Sequence, residues 1–172
     1  CNNYVVSGLL FGVENQRSSA AHFYASKWVV VDVDENWERS CTAIKDADLK
    51  PRVYVRTAET PETRVQAWFE LNYITDDIDD IRAAGRALTA ALCADANSID
   101  TGTHLFRLAG TTNHPTEHKK ANGRKAEPVA LNIAKDAPKY DVYALSQLKP
   151  HPEYDHTPTG GLGKGGAALG VV

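Results

Sequence analysis

The sequence predicts an α+β domain built on a split βαβ, ferredoxin-like βαββαβ core with additional strands. Three observations lead there. Runs rich in β-branched and aromatic residues, "WVVVDVD" above all, alternate with segments of helical periodicity. From Trp28 onward the order is strand, helix, strand, strand, helix, strand, which is the order of the split βαβ unit. A chain of 172 residues with 42% hydrophobic content fills one core, so a single domain is expected.

The elements follow in order. Asn3 to Val13, "NYVVSGLLFGV", reads as a first strand, and "ENQRSSAA" as a polar loop before the strand Trp28 to Asp34. In Glu35 to Asp46, Trp37, Cys41 and Ile44 recur at i, i+4, i+7, the spacing of a short amphipathic helix. "RVYVRT" (Arg52 to Thr57) and "RVQAWFELN" (Arg64 to Asn72) read as strands joined by a loop containing Pro61. Thr75 can cap a helix whose first turn holds Asp76 and Asp77, where the helix dipole favours acids. Its apolar face, Ile78, Ile81, Gly85, Leu88 and Leu92, runs to about Ala94. "HLFRLAG" and "PVALNIA" read as short strands and "YDVYALSQL" as a last amphipathic piece. Residues 1–150 are thus expected to form the domain. Six of the 12 glycines fall between Gly160 and Gly170, so 151–172 reads as a flexible tail or linker. In the expected topology the first and third core strands lie side by side at the sheet centre. RRM-like modules and polymerase palm domains share that arrangement.

Composition narrows the function. A formal net charge of -3 argues against binding nucleic acid by bulk charge, but the charge is unevenly placed. "HPTEHKKANGRK", His114 to Lys125, carries four Lys or Arg and two His against one Glu, while Ile74 to Asp80 holds four Asp. Cys1, Cys41 and Cys93 are odd in number and form no C-x-x-C, so neither a disulfide framework nor a structural zinc site is indicated and a reduced, cytoplasmic compartment is the default. No apolar run approaches a membrane span and no signal peptide is visible, so no membrane partner is expected. The Cys1 start and the lack of Met suggest a fragment or processed chain, with adjoining domains missing.

Three stretches could carry chemistry. Asp32 and Asp34 lie at i and i+2 of a strand, hence on one face with Cα atoms roughly 6 to 7 Å apart. Either a divalent cation sits between them or the strand end is well solvated; Mg²⁺ favours carboxylate oxygens and keeps room for water and phosphate. In "DTGTHLFRLAGTTNHPTEHKK", Asp100 could be a third carboxylate, and Arg107, Gly110, Thr111, Asn113 and Lys119 supply amides, hydroxyls and cations suited to phosphate; a surface ion pair and an ordinary tight turn are the alternatives. In "RVQAWFEL", alternation puts Arg64 and Gln66 on one face, with Trp68 following, and Val65, Ala67 and Phe69 on the other. Polar side chains on that face need water or a ligand to meet them.

Taken in order, "WVVVDVDE", "RVQAWFEL" and "DTGTHLFRLAGTTNHPTEHKK" resemble the motifs of the archaeo-eukaryotic primase superfamily, and within it the RepB-type primase domains of plasmids, phages and other mobile elements. In that family a D-x-D or D-x-E ends a core strand, a second strand carries a small-x-His motif, and an acidic position precedes an "R-L-P-G-T-x-N-x-K" segment. The resemblance implies a primase-polymerase catalytic domain from about Tyr4 to Leu148, acting as a template-dependent nucleotidyltransferase with Mg²⁺ or Mn²⁺. Asp32, Asp34 and Asp100 would be the catalytic metal ligands, with Asp95 a second candidate for the third position. Arg64, Gln66, Arg107, Asn113 and Lys119 would meet the nucleoside triphosphate. His114, Lys119, Lys120, Arg124 and Lys125 would follow a single-stranded DNA template. A helicase or other replication domain is often joined to such primases. Gln66 stands where the family motif has His, and Ala109 where it has Pro.

The rival reading is a non-catalytic replication module that keeps the fold and binds nucleic acid, having lost nucleotide chemistry with the His. A nicking initiator would need an H-x-H pair, which none of the six histidines forms. A D-x-D glycosyltransferase would need a nucleotide-binding half upstream, where only 31 residues precede Asp32.

Overall fold

The computed structural model describes residues 3–11, 19–95 and 102–154. Asp100 and residues 155–172 of the expected tail lie outside them.

The expected first strand is two: β1 (Tyr4–Val6) and β2 (Gly8–Leu10). The D-x-D strand begins earlier than alternation suggested, as β3 (Phe23–Val33), and leads into helix α1 (Trp37–Asp46). Asn36 makes that turn in the left-handed region (φ 52°), its side chain accepting from the Arg39 amide. Strands β4 (Val53–Ala58) and β5 (Arg64–Thr75) form the next hairpin. Helix α2 (Ile78–Ala91) is capped by Asp77, which accepts from the amides of Asp79 and Asp80. Thr75 was the expected cap; its hydroxyl instead accepts from the Asp77 amide, so the helix starts two residues later. Then follow β6 (Leu105–Arg107), β7 (Thr112–Asn113), α3 (Glu117–Ala121), β8 (Glu127–Pro128), β9 (Ala130–Ile133) and α4 (Val142–Ser146).

A five-stranded sheet, ordered β2-β3-β5-β4-β9 with every pair antiparallel, is the backbone of the domain. β3 and β4 flank β5 and are joined through α1, so the first split βαβ half is present and the first and third core strands are neighbours. The second half closes differently. β6, expected as the fourth core strand, pairs with β1 in a separate two-stranded sheet, and β2 takes the place beside β3. Among the described residues the fourth strand of an RRM-like core is thus not in the main sheet.

Register divides the sheet's faces. Val29, Val31 and Val33 of β3 and Ala67, Phe69 and Leu71 of β5 point into one core with Ile81, Leu88 and Leu92 from α2 and its extension and Val142 and Leu145 of α4. Burial of such side chains contributes about 1.5 to 3 kcal/mol each. The other face receives Trp28, Val30 and Asp32 from β3 and Arg64, Gln66, Trp68 and Glu70 from β5. Part of it is covered by Phe106 of β6, whose ring packs against Trp68 at 5.3 Å between centroids. Glu70 anchors its far end in ion pairs with Lys27, Arg52 and Lys139. No helix among the described residues is long and apolar enough to cross a membrane.

Candidate functional site

The polar face ends in charge at the exit of β3. Asp32 is paired in register with Gln66, and Val33 with Val65, so the next outward pair is Asp34 and Arg64. Those two make a salt bridge, Arg64 Nη1 to Asp34 Oδ1 at 2.8 Å. The Arg64 side chain is 11% exposed against 39% for Asp34, so the carboxylate lies at the mouth and the guanidinium below it. Gln66, only 3% exposed, hydrogen-bonds Asp32.

Asp32 is half-buried, with one carboxylate oxygen sealed from solvent. Its pKa is pushed from 3.8 up to about 7, first by burial and then by the Asp34 and Asp95 carboxylates; Arg64 and the Gln66 hydrogen bond oppose the rise without cancelling it. Asp95, the second candidate for the third acidic position, arrives from the end of α2, where its amide donates to the Asp32 carbonyl at 2.9 Å. Among the described residues no three His, Cys, Asp or Glu side chains converge closely enough to cage an ion. Two carboxylates at a strand end still suit Mg²⁺ or Mn²⁺, which bind through one or two carboxylates and complete their shell with water and phosphate.

Cations surround the carboxylates. Lys119 of α3 is held below its usual pKa by partial burial and by Arg124, with Arg107 and Arg64 adding to the effect and Asp34 opposing it. Arg124 is likewise lowered, by burial and then by Arg64, and feels Asp34, Asp32 and Arg107. Strand β5, helix α3 and the loop after it thus bring Arg64, Lys119 and Arg124 to the carboxylates, and β6 brings Arg107 beside Lys119 and Arg124. Arg107 sits over the Tyr4 ring, its Cζ 4.5 Å from the centroid, a cation–π contact that helps hold the guanidinium. Several polar atoms on this face are buried without a hydrogen-bond partner in the protein: Gln66 Oε1, Arg64 Nε, Trp68 Nε1 and Arg107 Nη1. Leaving such atoms unmet costs about 1 to 3 kcal/mol each, so a polar ligand over this face would be favoured.

Other expected contacts are used inside the protein. The Gly110 amide donates to the Val129 carbonyl and the Thr111 hydroxyl to the Leu108 carbonyl, so the turn, with Gly110 at φ 79°, uses two of the donors that "AGTT" offered to phosphate. The Asn113 amide donates to the Thr57 carbonyl at 2.8 Å, pinning β7 to β4. Lys120 pairs with Glu117 of its own helix at 2.7 Å, while His114 and Lys125 are exposed on the same arm.

Sequence reading missed Glu127. Its carboxylate accepts from the Glu59 amide at 2.8 Å, the Thr60 amide at 3.3 Å and the Thr60 hydroxyl at 2.7 Å. Burial raises its pKa, but these hydrogen bonds outweigh that and hold the carboxyl below its usual range. Glu127 and Asn113, paired on one rung of the β7–β8 ladder, tie the cationic arm, residues 108–128, to β4 and the β4–β5 loop. A lone Glu between Ala126 and Pro128 carries no sequence signal for that role.

No protein-family model and no curated protein sequence matches the chain. The likeness that is found is one of fold, a mixed α/β domain with an antiparallel sheet. The fold is similar to that of a solved structure, the AEP domain of the primase-polymerase (PrimPol) of cyanophage S-2L, with a TM-score of 0.60 over 87% of this chain and 70% of that one at 18% identity.

Proposed function

We propose that the chain is a template-dependent nucleotidyltransferase, a DNA primase-polymerase of the RepB type found on mobile elements. The observation that carries the reading is the gathering of Arg64, Arg107, Lys119 and Arg124 around Asp32 and Asp34 at the outer end of β3, in a fold similar to that of a primase-polymerase.

Asp32 and Asp34 would hold Mg²⁺ or Mn²⁺, with Asp95 or Asp100 as the third carboxylate. Such ions supply charge stabilisation at both the attacking 3′-hydroxyl and the leaving pyrophosphate. The chain's own groups do the rest. Arg64 and Arg107 would meet the triphosphate with their guanidinium groups, and the Tyr4 ring helps hold Arg107 in place. Lys119 and Arg124 close over it from the arm. Gln66, uncharged, takes no proton; it steadies Asp32 by hydrogen bonding while Arg64 supplies the charge that the family's His would bring. Lys120, Lys125 and His114 lie further along the exposed arm, where a single-stranded template would run in salt-sensitive contact. A helicase or other replication domain joined to this one would provide processive access to template.

Titration with a fluorescent nucleoside triphosphate, with and without Mg²⁺ or Mn²⁺, tests this. Metal-dependent affinity that disappears in Asp32→Ala/Asp34→Ala is expected. Template binding with nucleotide affinity indifferent to metal and to the variant would replace the proposal with the non-catalytic module, which the Gln66 substitution favours.

A further inference from the structure

Behind the sheet, on the side away from the carboxylates, α1 leaves a cavity of about 620 Å³ against β4 and β9. Its size lies within the roughly 300 to 1,000 Å³ of small-molecule sites. Trp37 and Tyr54 form one corner, their rings 6.0 Å apart and inclined at 77°, so a flat ligand stacked on one ring meets the edge of the other. Lys45, Lys50 and Arg56 line it, and no Asp or Glu does among the described lining residues. Lys50 is shared with Asp136 and Arg56 with Glu59, whereas Lys45 has no ion-pair partner among the described residues. Cys41 lies in the same wall; burial raises its thiol pKa and the Lys45 ammonium opposes the rise, which places those two groups together.

We propose that this cavity is a second binding site, for a small flat aromatic anion of the nucleoside monophosphate class, its ring against Trp37 or Tyr54 and its anionic group toward Lys45 and Arg56. The site does not depend on the function assigned to the carboxylate face. Val65 forms part of its floor while Arg64 and Gln66, its neighbours in β5, point to the opposite side. The two sites are therefore separated by the sheet itself.

The test uses Cys41 as a local reporter. The whole chain is alkylated with N-ethylmaleimide at mildly alkaline pH in EDTA, and Cys41 and Cys93 are followed separately by peptide mass spectrometry. AMP at a few millimolar should slow Cys41 about fivefold or more while leaving Cys93 unchanged. Adenosine, which lacks the anion, and ribose 5-phosphate, which lacks the ring, should each protect less than about twofold. Lys45→Glu/Arg56→Glu should lose the protection. Equal Cys41 rates with and without AMP, or equal protection by all three compounds, would overturn the proposal; both readouts need only the wild-type chain. Protection that survives the charge reversal would overturn it as well.

Discussion

Asp32→Asn should make the protein more stable and less active at once. The folded chain raises the Asp32 pKa from 3.8 to about 7. Because the folded value lies above the unfolded one, the wild type has its full stability below about pH 4 and loses it as the pH rises through about 7. About three units at 1.36 kcal/mol each bound the loss near 4 kcal/mol; solvent reaching a half-buried site and coupling to Asp34 reduce the realised share to about 2 kcal/mol. Asn keeps the shape and never ionises, so it escapes the penalty. For a chain of this size the gain corresponds to a melting temperature about 4 to 8 °C higher at pH 8 in EDTA. The difference should narrow by about half at pH 5, where much of the penalty has gone. Saturating Mg²⁺ should raise the wild type and leave the variant unmoved. Differential scanning fluorimetry across this pH range measures all three. A variant that melts at or below the wild type at pH 8 would refute the argument that uncompensated negative charge collects at Asp32.

Further outcomes follow from the same geometry. Arg64→Gln removes the guanidinium from Asp34 and from the face; nucleotide KM should rise about tenfold or more and stability should fall by about 1 to 3 kcal/mol, because the Arg64 side chain is largely buried, read by steady-state kinetics and thermal melts. Glu127→Ala frees the Thr60 loop from the cationic arm and should lower stability by about 1 to 3 kcal/mol and raise KM for template and nucleotide, with divalent-ion affinity unchanged in a calorimetric titration. Lys120→Ala/Lys125→Ala should reduce the slope of log affinity for single-stranded DNA against log salt by about 1 to 2, measured by fluorescence anisotropy. Gln66→His should fold and should strengthen nucleotide binding below about pH 6.5, where the imidazole is charged; affinity that stays flat across pH would count against Gln66 facing the phosphates.

What was legible in the sequence was whatever local pattern decides. The alternation in "RVQAWFEL" put Arg64 and Gln66 on one face and Val65, Ala67 and Phe69 on the other, and the register bears that out. The helix α2 followed from its apolar spacing, though the choice between Thr75 and Asp77 as cap did not, because both side chains can accept from a backbone amide two residues on. Pairing of distant strands was beyond reach. Nothing in "HLFRLAG" says that its strand joins β1 across about a hundred residues rather than β3. The same holds for the site. Charge and spacing pointed to Asp32, Asp34, Arg107 and Lys119, but the Arg107–Tyr4 pair and the Glu127 clamp are contacts between segments far apart in sequence. The internal use of Gly110, Thr111 and Asn113 was hidden for the same reason: a donor suited to phosphate is equally suited to a carbonyl.

The most direct test of the central claim is primer synthesis and extension on single-stranded DNA with labelled nucleotides and Mg²⁺ or Mn²⁺, comparing the wild type with Asp32→Ala/Asp34→Ala. The account predicts product that requires the metal and vanishes in the folded variant. Product that persists in the variant, or a folded, template-binding wild type that makes none with either metal, would contradict it.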